Sequence, residues 1–248
     1  TPTMGGIVII VSILVSVLLW CNIYNEYILL LMFTLIWFGV LGFIDDYIKL
    51  TQTKAAGLTD VSKLLFQSAL GLILGLILYF HMKKFAWGTH VVIPLVKAFR
   101  PDLGTLYILF VTFFIVGMSN AVNLTDGLDG LAIGCGIIAG IAFAVVAYVS
   151  GRMDFSNYLR ILYIPGSGEL SVFCAALAGG GLGFLWYNCF PAQVFMGDTG
   201  SLTLGGVLGL IAIILKQEVL MIVIGGVFIA EAVSVLMQVA FYKMTKKR

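Results

Sequence analysis

The sequence has few charged residues: only 10% of its 248 residues are Asp, Glu, Lys or Arg, whereas 61% are hydrophobic. A soluble domain carries roughly 25% charged residues, so this composition excludes an ordinary soluble protein. The polar–apolar alternation that a transmembrane β-barrel requires is also missing. The formal net charge of +2 gives no further information about partners, and we expect no nucleic-acid partner.

The sequence also has few of the residues that build common metal and redox sites. Its four cysteines form no CxxC pair and lie in or beside apolar runs, which is typical of small apolar residues rather than of a disulfide framework. The only two histidines are His81 and His90. Neither a Walker A sequence nor a GxGxxG motif after a strand is present. These absences argue against the familiar nucleotide-binding loops and against a Cys/His metal centre.

What the sequence has instead is long apolar runs. A membrane-spanning helix needs about 20 apolar residues, and we identify eight runs of about that length. An all-α polytopic transmembrane helical bundle is therefore predicted, as a single domain over residues 1–248. The seventh run is short and would need flanking residues or local bilayer thinning. The eight runs cover residues 5–23, 27–44, 64–82, 103–122, 131–149, 170–187, 201–215 and 219–242.

Aspartates are concentrated in three loops that each follow an even-numbered run. They are Asp45 and Asp46, then Asp126 and Asp129, then Asp198, and the even count places all three loops on one face of the membrane. Carboxylates gathered with few compensating cations indicate a metal ion. Mg²⁺ prefers carboxylate oxygens together with phosphate oxygens, so the pattern predicts metal-assisted phosphoryl transfer at the membrane surface.

Each aspartate loop also has a purely structural interpretation. Asp45 and Asp46 could form a solvated helix end, with Lys49 paired to Asp45 at i,i+4. Asp126 and Asp129 could cap the following helix, where carboxylates are favourable. Lysines and arginines are equally numerous on the two faces, with Lys216 counted on the face opposite the aspartates. The positive-inside rule therefore does not fix the orientation.

Four motifs together resemble one enzyme family. They are TPTMGG (1–6), GFIDDYIK (42–49), NAVNLTDGLDGLA (120–132) and PAQVFMGDTGSL (191–202), and in this order they are similar to the phospho-N-acetylmuramoyl-pentapeptide transferases of bacterial cell-wall synthesis. The related polyprenyl-phosphate GlcNAc-1-phosphate transferases share the paired aspartates and remain the alternative. TPTMGG and NLTDGLDGLA favour the first branch.

The resemblance implies a reaction and a location. Family members transfer phospho-MurNAc-pentapeptide from UDP-MurNAc-pentapeptide to undecaprenyl phosphate, which gives lipid I and UMP, and they use Mg²⁺. They have ten transmembrane helices in the bacterial plasma membrane, with the active site facing the cytoplasm, and this chain would correspond roughly to helices two to nine. The small-residue faces of its helices also make a homodimer plausible.

The resemblance also implies roles for individual residues. Asp198 matches the metal-binding aspartate, and the other expected catalytic residues are Asp45, Asp46, Asp126 and Lys63. Asp129, Asn188 and Phe195 match the nucleoside side of the site, with Phe195 stacking on uracil. From their position beside these motifs we add further candidates for substrate binding: Thr3, Lys49, Lys54, Asn120, Asn123, Gly127 and Leu128.

Two further expectations and two alternatives follow. The family's histidine-rich HHHxE motif does not occur in residues 1–248, so the chain is expected to be truncated at both ends and impaired by itself.

An ion transporter would need acids near the midplane of the membrane, a pattern that only Glu231 fits. A non-catalytic scaffold is the other alternative. Direct attack by the lipid phosphate and a covalent aspartyl intermediate both remain open.

Overall fold

The computed structural model describes residues 2–51, 57–85, 87–93 and 100–245, and these ranges contain ten α-helices and no strand. A single antiparallel bridge joins His90 and Asp102. The helices are α1 (Gly6–Trp20), α2 (Glu26–Thr51), α3 (Asp60–Met82), α4 (Leu106–Thr125), α5 (Leu131–Ser150), α6 (Met153–Leu159), α7 (Gly168–Asn188), α8 (Gly197–Ile214), α9 (Glu218–Ile224) and α10 (Gly226–Thr245).

Seven of these helices are long and apolar enough to cross a membrane, namely α2, α3, α4, α5, α7, α8 and α10. The predicted all-α polytopic bundle is therefore confirmed, but two of the eight predicted runs differ. The first forms α1, which is apolar but only 15 residues long. The last is divided at Gly225 into α9 and α10, because two consecutive glycines, the weakest helix formers after proline, interrupt an otherwise apolar sequence.

Helix α8 is the centre of the bundle. Every residue from Thr199 to Ile214 is buried, and α8 packs against α1, α2, α4, α5 and α9. The sequence predicted a short span that needed an adjusted bilayer. The helix in fact begins earlier, at Gly197, has 18 residues, and lies among protein neighbours, so no match to lipid is required of it.

Glycines allow the helices beside α8 to approach it closely. A Cβ atom on Gly42 of α2 would lie 2.4 Å from the Asp198 carbonyl oxygen, and one on Gly205 would lie 2.5 Å from the Met118 carbonyl oxygen of α4. Backbones in such contact leave no room for a side chain. The close approach at Gly42 brings the next turn of α2, which carries Asp45 and Asp46, to the N-terminus of α8.

Lys216 lies between α8 and α9 and is fully buried, so counting it among the surface cations of the face opposite the aspartates was wrong. Its Nζ donates hydrogen bonds to the Gly88 carbonyl oxygen (2.6 Å) and the Tyr107 hydroxyl (2.8 Å). Burial lowers the pKa of Lys216 to about 8, against the opposing effect of the nearby Glu218 carboxylate. The Lys216 ammonium therefore links the segment between α8 and α9 to the segment before α4 and to α4 itself, and it does not face solvent.

Candidate active site

Four helix ends meet at one face of the bundle. The C-terminal turns of α2 and α4 and the N-terminal turns of α3 and α8 together carry Asp45, Asp46, Lys63, Asn123 and Asp198. Carboxylate oxygens of the three aspartates all lie within 4.8 Å of one another. The antiparallel helices thus bring together residues that are up to 153 positions apart in the sequence.

Two lysines bridge the carboxylates of α2 and α8. Lys49 Nζ lies 2.6 Å from Asp45 Oδ2 and 3.0 Å from Asp198 Oδ2. Lys63 Nζ lies 2.8 Å and 2.7 Å from the same two oxygens. The Asp45 side chain is fully buried, whereas the lysine side chains are 37% and 19% exposed. Both cations can therefore reach an anion that enters from the membrane surface.

Asp46 has a different set of contacts from Asp45. Its Oδ2 accepts hydrogen bonds from the backbone N–H (2.9 Å) and the hydroxyl (2.7 Å) of Thr199, and its Oδ1 accepts from the backbone N–H of Asp198 (3.1 Å). The first N–H groups of a helix have no partner within the helix, so a carboxylate there both completes their hydrogen bonds and interacts favourably with the helix dipole. Asp46 therefore caps α8 from α2.

Asn123 of α4 orients Asp198 from the other side. Its Nδ2 donates to Asp198 Oδ1 (2.9 Å) and to Ser201 Oγ (2.8 Å). Ser201 in turn donates to the Gly197 carbonyl oxygen (3.0 Å). Asp198 Oδ1 is held by Asn123 of α4, and Oδ2 by Lys49 of α2 and Lys63 of α3. These contacts fix the rotamer of Asp198 before any substrate binds.

A pocket of about 370 Å³ opens above this cluster. Phe195 and Thr3 form one wall and are exposed. Backbone hydrogen bonds hold that wall in place, from Gly5 N–H to the Phe195 carbonyl oxygen and from Phe195 N–H to the Pro2 carbonyl oxygen, each 2.9 Å. The residues that line the pocket are Thr3, Asp46, Lys49, Leu50, Asn123, Asp126, Phe195, Gly197 and Asp198.

Asp126 follows the last residue of α4 and lines the same pocket. Burial, together with the negative charges of Asp198 and Asp46, raises its pKa to about 7. Three carboxylates and two ammonium groups already give the cluster an excess of one negative charge, and ionised Asp126 adds another. Electrostatics in this pocket therefore favour an additional cation.

The structure places the other predicted site residues outside this pocket. Asn120 donates to Gln67 Oε1 at 2.8 Å, and Asp129 accepts from the Ala192 N–H at 3.0 Å. Asn188 is buried between the Gly130 N–H and the Val194 carbonyl oxygen. Gly127 and Leu128 are exposed in the turn between α4 and α5, and Lys54 lies outside the described residues.

Four residues of the site were not anticipated from the sequence. Leu58 donates its N–H to Asp45 Oδ1 at 2.7 Å, and nothing in its residue type indicates this role. Thr199 and Ser201 belong to the motif around Asp198, and a hydroxyl in the first turn of a helix is a usable signal for capping. Gly57 has φ 61°, and a Cβ there would lie 2.7 Å from Asp45 Oδ1.

The donor chemistry of the cluster fits a divalent cation. Carboxylate oxygens are the ligands that Mg²⁺ prefers, and Asp45, Asp46 and Asp198 can each direct one towards a common point. Both oxygens of Asp46 accept hydrogen bonds from α8, and Asp45 is fully buried with contacts to Leu58, Lys49 and Lys63. Asp198, whose side chain is 15% exposed and lines the pocket, is therefore the most accessible ligand. The two lysines contact the same oxygens, which shows that this position stabilises positive charge.

Comparison with known proteins agrees with this geometry. Residues 27–216 match the glycosyl transferase family 4 model. A phospho-N-acetylmuramoyl-pentapeptide transferase of Oleidesulfovibrio alaskensis is 50% identical over 245 residues, which is 99% of this chain and 68% of the relative. The enzyme of the same name from Thermodesulfovibrio yellowstonii is 51% identical with the same coverage, and that of Geobacter sp. strain M21 is 50% identical over 248 residues. The resemblance seen in the sequence is thereby confirmed: the chain belongs to the phospho-N-acetylmuramoyl-pentapeptide transferases of glycosyl transferase family 4.

Proposed function

We propose that the protein transfers phospho-MurNAc-pentapeptide from UDP-MurNAc-pentapeptide to undecaprenyl phosphate, which yields lipid I and UMP. The observation that carries the proposal is the cluster of Asp45, Asp46 and Asp198 with Lys49 and Lys63, of which Asp46, Asp198 and Lys49 line an open pocket. A phosphoryl transfer between two anionic substrates needs positive charge at the reacting phosphates, and this cluster is arranged to hold it.

Asp198 would hold Mg²⁺, with Asp45 and Asp46 close enough to contribute a carboxylate oxygen. When bound, the ion would neutralise charge on the phosphate oxygens and polarise the phosphorus–oxygen bond that breaks. Lys49 and Lys63 are flexible cations at the same point, and an ammonium is a strong partner for phosphate. Their side chains have 37% and 19% exposure, so they can turn from the carboxylates towards a diphosphate in the pocket.

The nucleoside half of the donor fits the wall formed by Phe195 and Thr3. The ring of Phe195 is 40% exposed and offers an apolar face on which a base can stack. Asn123, in the last turn of α4, and Asp126, just after the helix, line the pocket. The predicted roles of Asn120, Asn188 and Asp129 in substrate binding remain predictions, and their contacts favour the positioning of the loops around the pocket.

In the direct route, an oxygen of the lipid phosphate forms a bond to the sugar-linked phosphorus, and the bond to the UMP oxygen breaks. Asp45 or Asp46 would accept the proton of the lipid phosphate in this route, and the contacts of both carboxylates are already occupied in the structure. In the covalent route an aspartate attacks first and the lipid phosphate then displaces it. A phosphorylated aspartate that accumulates with the donor alone would support the second route.

The chain is a multi-pass membrane protein by its seven candidate spans. We place it in the bacterial plasma membrane, with the aspartate face towards the cytoplasm, where UDP-linked precursors are made. A homodimer is compatible with the exposed apolar faces of the outer helices. Both statements belong to the proposal: labelling engineered cysteines from either side of the membrane tests the orientation, and cross-linking of cysteines between two copies tests the dimer.

The test is UMP release by the purified protein in detergent, expressed with any residues that flank this chain in its gene. UDP-MurNAc-pentapeptide and UDP-GlcNAc are compared as donors, with Mg²⁺ and undecaprenyl phosphate present. Release from the pentapeptide donor alone, and its loss in Asp198→Asn, is expected. Release from UDP-GlcNAc alone would assign the protein to the GlcNAc-1-phosphate branch, and release from neither would contradict the proposal.

A further inference from the structure

Asp45 and Asp46 are each approached by a turn that contains a glycine in the left-handed region. Gly57 has φ 61° and Gly197 has φ 73°. A Cβ atom on Gly57 would lie 2.7 Å from Asp45 Oδ1, and one on Gly197 would lie 2.6 Å from Asp46 Oδ2. In both turns the N–H of the residue after the glycine donates to the same carboxylate, at 2.7 Å and 3.1 Å. Two separate parts of the chain therefore hold the two neighbouring carboxylates in the same way.

The two turns differ in the elements to which they belong. Gly197 is the first residue of α8, so the N–H groups that contact Asp46 are those of a helix N-terminus. Gly57 lies before α3, which begins at Asp60, and it belongs to none of the four motifs that resemble the family. Helix capping therefore explains the contact with Asp46 but not the contact with Asp45.

The close approach at Gly57 depends on the absence of a side chain. Positive φ is unfavourable for a residue that carries a Cβ atom, and a Cβ here would also lie 2.9 Å from Lys49 Cε. The Lys49 side chain is 37% exposed and can turn aside, whereas the Asp45 side chain is fully buried. A side chain at position 57 would therefore displace the Asp45 carboxylate.

The hydrogen bond from this turn fixes the orientation of Asp45. The N–H of Leu58 occupies Oδ1, whereas Oδ2 lies 2.6 Å from Lys49 Nζ and 2.8 Å from Lys63 Nζ. The terminal torsion of an aspartate is broad by itself, so a donor on one oxygen restricts the direction of the other. Oδ2 therefore faces the two ammonium groups that also contact Asp198 Oδ2.

The same turn also sets the position of Lys63. Thr59 caps α3, because its Oγ1 accepts the N–H of Ser62 at 3.2 Å. The Thr59 carbonyl oxygen accepts the N–H of Lys63 at 3.0 Å, so Lys63 lies in the first turn of the helix that begins just after Gly57. One short turn consequently positions both Asp45 and Lys63, which belong to different helices.

We propose that Gly57 is a positioning residue for the transfer reaction, because its turn holds the Asp45 carboxylate at the angle at which Oδ2 faces Asp198. The inference rests on the proposed function and adds to it a residue that touches neither substrate. The described lining of the donor pocket does not include Gly57, so its effect reaches the reacting phosphates through the charged groups that it positions. Misplacement of a reacting group by about 1 Å can lower a rate by about 100-fold.

Gly104 provides the matched control. It also has positive φ, at 51°, and it lies just before α4, at the opposite end of that helix from Asn123. A Cβ atom on Gly104 would meet no atom of the described residues within 4 Å. Gly104→Ala therefore imposes the same unfavourable backbone conformation without a new contact. The difference between the two alanine variants reports the contact of position 57 with Asp45.

The first test compares Gly57→Ala with Gly104→Ala in steady-state UMP release. We expect Gly57→Ala to lower kcat about tenfold or more while the KM for UDP-MurNAc-pentapeptide changes less than about twofold. Gly104→Ala should leave kcat within about twofold of the parent protein. Equal effects of the two substitutions on kcat, or a kcat for Gly57→Ala within about twofold of the parent protein, would overturn the proposal while the proposed function stands.

The second test is a double-mutant cycle that does not depend on turnover. Mn²⁺ affinity is measured by electron paramagnetic resonance without substrates, for Gly57→Ala in the parent protein and in the Asp45→Ala variant. Gly57→Ala should weaken Mn²⁺ binding about fivefold or more in the parent protein, and should change it less than about twofold once Asp45 is removed. An equal change in both backgrounds would show that Gly57 acts independently of Asp45, which contradicts the proposal even if the parent protein releases no UMP.

Thermal unfolding completes the same cycle, and it also covers the case in which Gly57→Ala folds poorly. Asp45→Ala removes the carboxylate that the added methyl group would meet. The double variant Gly57→Ala/Asp45→Ala should therefore unfold at a higher temperature than the sum of the two single losses predicts. Gly104→Ala combined with Asp45→Ala should show no such recovery. Additive losses in the Gly57 pair would mean that the two positions are not coupled, and the positioning role would then be wrong.

Discussion

Asp46 accepts hydrogen bonds from both the backbone N–H and the hydroxyl of Thr199, 153 residues further along the chain. Its neighbour Asp45 makes no contact with α8 backbone N–H groups; it accepts one hydrogen bond from the Leu58 N–H and pairs with Lys49 and Lys63. Adjacent carboxylates in one motif therefore have separate tasks. Asp46 holds the start of α8 in place, and Asp45 lies among the charged groups of the site.

Asp46→Ala should lower the stability of the protein more than Asp45→Ala does. Loss of an N-terminal cap costs about 0.5–2 kcal/mol, and here the unpaired N–H groups stay buried, which adds to the cost. Thermal unfolding in detergent measures the difference, with Thr199→Val as a second variant that removes the hydroxyl alone. Equal unfolding temperatures for Asp46→Ala and the parent protein would refute the capping role.

Asn123→Ala should reduce kcat/KM by roughly 10- to 100-fold, because a hydrogen bond to a charged group contributes about 1.5–3 kcal/mol. Asn123 donates to Asp198. Asn120, one turn earlier on α4, is bonded to Gln67 instead and serves as the control. We expect Asn120→Ala to affect thermal stability with little change in kcat/KM. A comparable loss of activity in both variants would restore Asn120 as a substrate-binding residue.

Lys63→Met should tighten the binding of a divalent cation while it lowers transfer. The ammonium of Lys63 lies within 2.8 Å of Asp45 and Asp198, so its removal leaves these carboxylates with less competing positive charge. Mn²⁺ affinity, followed by electron paramagnetic resonance without substrates, should rise about tenfold or more, given a like-charge repulsion of a few kcal/mol at close range. Lys84 is exposed and lies two residues after the end of α3, so Lys84→Met should change neither property.

Asp126→Asn should stabilise the protein at pH 8 when EDTA is present. Burial and the charges of Asp198 and Asp46 raise the Asp126 pKa from its ordinary value of 3.8 to about 7, so the folded protein holds this proton more tightly than the unfolded chain. The stability of the parent protein therefore falls as the pH rises from 3.8 through 7. Asp126→Asn has no carboxylate to ionise, so its free energy of unfolding does not fall in this way. At pH 8 the variant should be more stable than the parent protein by about 1–2 kcal/mol, a value discounted for partial exposure.

Asp129→Asn is the control for Asp126→Asn. Asp129 accepts a hydrogen bond from the Ala192 N–H, so its neutralisation weakens a contact rather than relieving a burial cost. We expect this variant to unfold at the same temperature as the parent protein or below it at pH 8. Thermal unfolding of both variants from pH 5 to pH 8 checks the pair. A parallel rise in stability for both would mean that general charge repulsion, rather than the environment of Asp126, is responsible.

The helical bundle and the composition of the acidic cluster were predictable, because hydropathy identifies spans and an even number of spans places loops on a common face. The different contacts of Asp45 and Asp46 were not predictable. Neighbouring helix residues point about 100° apart, and only the packing of α8 decides which groups each carboxylate contacts. The same holds for Asn120 and Asn123. Lys216 was misplaced because a charged residue between apolar runs normally faces water, and its partners on Gly88 and Tyr107 are remote in sequence.

The encirclement of α8 by other helices has a consequence for how the protein responds to its membrane. With 18 residues α8 is about 27 Å long, and its residues from Thr199 to Ile214 are all buried. A change in bilayer thickness is felt by helices that touch lipid, through tilt or local stretching of the bilayer. Such a change reaches α8 only through its protein neighbours, so the position of Asp198 relative to Asp45 and Asp46 is set by protein packing and is insulated from the lipid composition of the cell.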